Sequence, residues 1–163
     1  MSRIAKRQDA VKLGAGQEHI SEAAEVLTSL IVPVIRLEAY FSRAGETIAA
    51  AGGQTLARWL VLESVAEAPA SVAQIARGLG YTRQSVQRVA DLLEQEGLVQ
   101  YARNPAHQRS QLVRITPLGR QTLAIIQRAQ RVWADRVGSE IGEAELRQAS
   151  SVVDNLTRIL KAQ

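Results

Sequence analysis

Cysteine is absent from the 163 residues. With it go disulfides, Cys-ligated zinc, iron–sulfur clusters and any thiol redox switch, which fits a reducing compartment such as the cytoplasm. Histidine is scarce. His19 and His107 stand far apart with no Cys or His neighbours, so each reads as a surface residue and no metal site is expected. No run approaches the roughly eighteen apolar residues that a membrane-spanning helix needs. The first twenty residues, MSRIAKRQDAVKLGAGQEHI, hold bases but no apolar h-region, so they are not a secretory signal. They read as a flexible arm, either a solvated tail or a contact for a polyanion. Also missing are a nucleophile–base pair, paired carboxylates and a phosphate loop. Gly14-Ala-Gly16 lacks the strand, helix and third glycine of a dinucleotide fingerprint, so neither an enzyme nor a bound cofactor is expected.

What is present is arginine. The net charge is +4, and of the 20 bases only Lys6, Lys12 and Lys161 are lysine. Arginine suits bidentate contacts to phosphate, carboxylate or guanine, although a GC-rich genome would also swap lysine for it. The length fits one compact domain, or a small domain with added helices.

The pattern predicts mainly helix with one small β element. A first helix runs from a Ser21 cap to about Ala51, with Leu27, Leu30/Ile31, Val34, Leu37, Phe41 and Ile48 on one stripe. Pro33 lies inside it, so a kink or break is expected near Val32. A second helix, about Gln54 to Ala66, buries Leu56, Leu60 or Val61, and Val65. After a break at Pro69-Ala70, Ser71 and Gln74 match a capping box for a short helix ending near Arg77. Thr82 caps the next helix, which closes at Gly97. Leu98–Arg103 and Gln111–Thr116 are β-rich and bracket a polar tip, which predicts a hairpin. Thr116-Pro117 starts a long helix, with interruptions expected at Gly138 and Gly142, and a last helix covers about Glu143 to Leu160.

The middle of the chain carries a helix-turn-helix pattern: small Ala76, Gly80 in the turn, buried Val86, and Ile75 and Leu79 in flanking apolar slots. On the second helix Val86, Val89/Ala90 and Leu93 face inward. Arg83, Gln84, Gln87, Arg88 and Asp91 face outward, with Ser85 at the border. The charge order is the reverse of what the helix dipole favours, since the acids Asp91, Glu94 and Glu96 come last. That order suits DNA, because only the first two turns of such a helix reach the floor of the major groove. Arg then reads guanine O6/N7, Gln reads adenine N6/N7, and the Thr82 hydroxyl meets a phosphate. The alternative is an ordinary solvated face. A wing after such a motif adds a second DNA contact. Its tip holds His107, Arg109 and Ser110, flanked by Arg103 and Arg114, and Arg109 is placed to enter the minor groove.

The stretch from about Leu56 to Gly119 resembles the MarR family of winged-helix transcriptional regulators. The matching pieces are RWLVLESVAEAPASVAQIARGLG, TRQSVQRVADLLEQEGLV and NPAHQRSQLVRITPLG. The family usually shows an Asp-x-Arg wing tip followed by a strand and Leu-Thr-x-x-Gly. Arg109 and Thr116-Pro-Leu-Gly119 keep that pattern, while His107 replaces the acid and Ile115 the leucine.

The resemblance implies a homodimer whose first and last helices interleave with a partner's, where a monomeric bundle is the alternative. It divides the chain into an arm (1–17), an N-terminal dimerisation helix (18–53), a winged helix-turn-helix DNA-binding domain (54–117) and C-terminal dimerisation helices (118–163). It implies a repressor on double-stranded DNA, reading half-sites of a pseudo-palindrome about one turn apart. It also implies release by a small aromatic or anionic ligand, for which Tyr40, Arg43 and Trp59 are the candidate contacts. The cysteine-oxidising and zinc-sensing branches are excluded by composition. A winged helix used for protein contacts without DNA is the competing reading.

Overall fold

The computed structural model describes residues 20–105 and 110–162. The order is α1 (Glu22–Ala50), α2 (Leu56–Ser64), β1 (Ala70–Ser71), α3 (Val72–Leu79), α4 (Arg83–Gln95), β2 (Val99–Ala102), β3 (Leu112–Ile115), α5 (Pro117–Ile141) and α6 (Glu143–Lys161). Mainly helical with a small wing, this is the fold class that the sequence predicts. The described chain divides into two units: residues 20–39, which hold the first part of α1, and the remainder from Tyr40 onward.

Capping sets the element ends. Ser71 and Gln74 close a reciprocal capping box on α3, and the hydroxyls of Thr82 and Thr116 accept from the backbone N–H of Ser85 (3.1 Å) and Gly119 (3.0 Å). Thr55 likewise caps α2, which starts later and stops earlier than its apolar pattern suggests. Three other expectations are corrected. Of the kink or break expected at Pro33, the break does not occur: helix α1 is continuous there, because helical turns on both sides propagate across one missing N–H. Helix α5 passes through Gly138, which keeps its N–H, and ends only at Gly142, whose φ of 103° is left-handed. Ala70, expected with Pro69 to be a break, forms with the capping residue Ser71 a two-residue strand that pairs antiparallel with β3, giving the sheet order β1-β3-β2. In the hairpin Val99 faces Ile115 and Tyr101 faces Val113.

The core of the second unit gathers Val61, Leu62 and Val65 near α2, Ile75 and Ala76 from α3, Val86, Ala90 and Leu93 from α4, Val99 and Val113 from the sheet, and Leu123 and Ile126 from α5. Each large side chain buried this way contributes roughly 1.5–3 kcal/mol. Helix α5 is tied to α2 by Gln127 donating to Glu63 (3.3 Å) and to the turn just after it by Arg120 donating to the Ala66 carbonyl (2.8 Å). At its start Thr116 bonds through N–H to the Leu98 carbonyl (3.0 Å) and through Oγ1 to the Gly97 carbonyl (2.7 Å), just past α4. Gly119 packs so closely there that a Cβ would collide with the Leu98 carbonyl oxygen.

Outside this core the apolar stripes stay open. In residues 20–39 Leu27, Leu30, Ile31, Val34 and Leu37 are all exposed, and α6 has no buried residue at all.

Candidate nucleic-acid interface

The turn between α3 and α4 is made at Gly80, in the left-handed region with φ 70°, which costs glycine little and other residues more. Thr82 then starts α4, and the helix is pinned from behind. Val86 is 1% exposed, Ala90 and Leu93 are 0%, and Ile75 and Ala76 of α3 are 2%. With those positions fixed, 3.6-residue geometry turns the other side of α4 outward. Thr82, Arg83, Gln84, Ser85, Gln87 and Arg88 are all exposed, and Asp91 is half-buried.

An open groove of about 530 Å³ runs along this face, walled by Val72 and Ala73 of α3, Arg83, Gln84 and Gln87 of α4, and Tyr101, Ser110 and Gln111 of the wing. It brings together three of the residues chosen from sequence. Arg103 is exposed at the end of β2, while His107 and Arg109 lie outside the described residues.

The acids at the back of α4 have partners within the chain. Asp91 Oδ1 accepts from the Tyr101 hydroxyl (2.7 Å) and from Gln87 Nε2 (2.8 Å), and Gln87 Nε2 also reaches the Tyr101 oxygen at 2.6 Å. Glu94 accepts from the Tyr101 backbone N–H at 3.1 Å. Glu96 pairs with Arg58 at 2.8 Å, a part-exposed bridge contributing about 0–1 kcal/mol. Burial first, then the hydrogen bond to Asp91, push the Tyr101 phenol well above its ordinary value, so it stays protonated. Tyr101 is the residue that sequence reasoning missed. Its one signal was a tyrosine on the strand directly after a helix whose Gln87 and Asp91 share a face.

A second cavity, of about 650 Å³, opens between the last turns of α1 and the middle of α5. Arg43, Arg128 and Arg136 meet Ile48, Ile125 and Trp133 in its lining. Of the three candidate ligand contacts, Arg43 is here. Tyr40 is exposed outside the cavity, its ring 5.8 Å from the Arg43 guanidinium. Trp59 is buried in the core and donates to Glu63 at 3.3 Å. Among the described residues no cluster of acids and histidines fit for a metal occurs, and no helix is long and apolar enough to cross a membrane.

A model of the MarR family matches residues 53–110, which span both helices of the motif and part of the wing. An uncharacterized protein of Mycobacterium tuberculosis H37Rv is 35% identical over 140 residues, covering 86% of this chain and 98% of that one. Among solved structures, the transcriptional regulator BldR from Sulfolobus solfataricus superposes with a TM-score of 0.73 at 21% identity, covering 88% of this chain and 100% of that one. The transcriptional repressor CouR, solved bound to a 23-mer DNA duplex, does so at 0.68 and 26% identity, over 80% and 94%. An open face of Arg and Gln on a helix buried from behind, the wing beside it, and these relatives agree: the chain belongs to the MarR family of winged-helix transcription regulators.

Proposed function

We propose that two copies of this chain form a sequence-specific repressor that binds one side of a pseudo-palindromic operator, with α4 of each copy in the major groove and each wing in the minor groove. The observation that carries this is the outward face of α4, where Arg83, Gln84, Ser85, Gln87 and Arg88 are exposed on a helix locked by Val86, Ala90 and Leu93. Thr82 and Arg103 supply phosphate contacts at its edges, and His107 and Arg109, which fall between β2 and β3 in the sequence, are the proposed wing contacts. The CouR duplex complex supports this use of the fold. Residues 54–117 are then the DNA-binding domain, with 18–53 and 118–163 as dimerisation helices, and a second copy covers the exposed apolar rows of α1 and α6. Two-fold symmetry would place the paired helices about 34–36 Å apart, one turn of DNA.

The cavity beside α5 suits a small aromatic or anionic effector. Its arginines supply charge-assisted bonds, Trp133 and the isoleucines supply an apolar wall, and its volume falls in the usual range for a ligand site, about 300–1,000 Å³. Such a ligand releases DNA only by preferring the non-binding dimer, by roughly 1–3 kcal/mol.

Gel-shift titration against the DNA beside its own coding region tests the reading. Affinity should fall steeply with salt, because each neutralised phosphate releases counterions. Arg88→Ala should both weaken binding and relax base preference, by about 1–3 kcal/mol at one position, while Arg109→Ala should mostly lower affinity. A flat salt response, with neither substitution having an effect, refutes the assignment and favours a protein-contact module.

A further inference from the structure

We propose that Asp91 and Tyr101 are positioning residues that make Gln87 an acceptor-only reader, so that its operator position accepts adenine or cytosine instead of singling out adenine. The inference rests on the DNA-binding role proposed above and goes beyond it.

The chemistry of the partners fixes the amide. Gln87 Nε2 lies 2.8 Å from a carboxylate oxygen of Asp91, which can only accept. The reversed amide would set two oxygens against each other, so nitrogen faces Asp91. The Tyr101 hydroxyl completes a triangle, accepting from Nε2 at 2.6 Å and giving its own proton to Asp91 at 2.7 Å. The ring cannot drift away, because Glu94 on the same helix holds the Tyr101 backbone N–H at 3.1 Å. Proton loss would open the triangle, and the raised phenol pKa prevents that throughout the ordinary pH range.

The donors of Gln87 therefore face the wing. Its Oε1 has no hydrogen-bond partner among the described residues and is the polar atom left for an incoming base. A bidentate glutamine–adenine pair needs Oε1 to accept from N6 and Nε2 to donate to N7. With nitrogen held, only the first bond survives. The major-groove edge offers one other donor of this kind, cytosine N4, so both bases satisfy the oxygen. Guanine and thymine present acceptors alone and do not.

Selection of bound sites from random duplexes by the full-length protein tests this, with wild type, Asp91→Ala and Tyr101→Phe run side by side. Wild type should return one position per half-site shared between adenine and cytosine. Freeing the nitrogen restores the second bond, so Asp91→Ala should shift that position to adenine by about tenfold, and Tyr101→Phe by less. Tyr101→Phe keeps the ring, so it answers the question even if Asp91→Ala folds poorly. Wild type that already selects adenine alone, or an adenine-to-cytosine ratio that is the same in all three proteins, overturns the inference while leaving the regulator reading standing. Wild type that selects no sequence at all overturns both.

Discussion

Helices α4 and α6 carry apolar residues at similar helical spacing, and they meet opposite fates. On α4 the stripe Val86, Ala90 and Leu93 is sealed inside the chain's own core. On α6 Val152, Val153, Ile159 and Leu160 are all exposed, and residues 20–39 of α1 repeat that pattern. A periodic stripe reports that a helix has a face to bury. It says nothing about which chain does the burying. The winged-helix lobe completes its core alone, whereas so many exposed valines, leucines and isoleucines on one helix call for something else to cover them.

That contrast can be broken most directly by one substitution on each helix. Leu93→Ala should destabilise the fold by about 2–5 kcal/mol, with a loss that shows no dependence on protein concentration. Val153→Asp should instead shift the protein toward monomer in size-exclusion chromatography with light scattering, and make its melting temperature depend on concentration. If both substitutions act alike, the two stripes are not different in kind. Next in size is Gly119→Ala. The added methyl meets the Leu98 carbonyl, so chemical denaturation should show a loss of about 1–3 kcal/mol arising wholly within the lobe. Smallest is Thr82→Ala, which removes the α4 cap and should cost about 1 kcal/mol in the same measurement.

Those cap residues also show how far the sequence could be read. Ser71, Thr82 and Thr116 mark helix starts by local chemistry, so α3, α4 and α5 begin where their sequences say. The buried row of α4 is equally local, being one period of one helix. Features that depend on distant partners were not legible. β1 is two residues long, too short for any alternation, and exists only because β3 offers it backbone bonds. Pro33 marks a lost bond without revealing whether neighbouring turns hold the helix together. At the interface, the exposed Arg and Gln residues of α4 follow from helical geometry. The Gln87–Asp91–Tyr101 triangle does not, since Tyr101 lies on another element and enters only once the hairpin folds back. The acids late in α4 come last in an order that suits DNA, and the structure gives each of them an internal partner as well.

Thr116 gives the molecule a mechanical property of its own. This residue caps helix α5 and is fastened to the carbonyls of Gly97 and Leu98, and the same helix walls the arginine-lined cavity farther along. The helix is therefore anchored beside the foot of α4. If α5 shifts while those bonds hold, the tail of α4 travels with it; if they break, α5 and β3, which are continuous in the chain, come away together from the end of α4 and the start of β2.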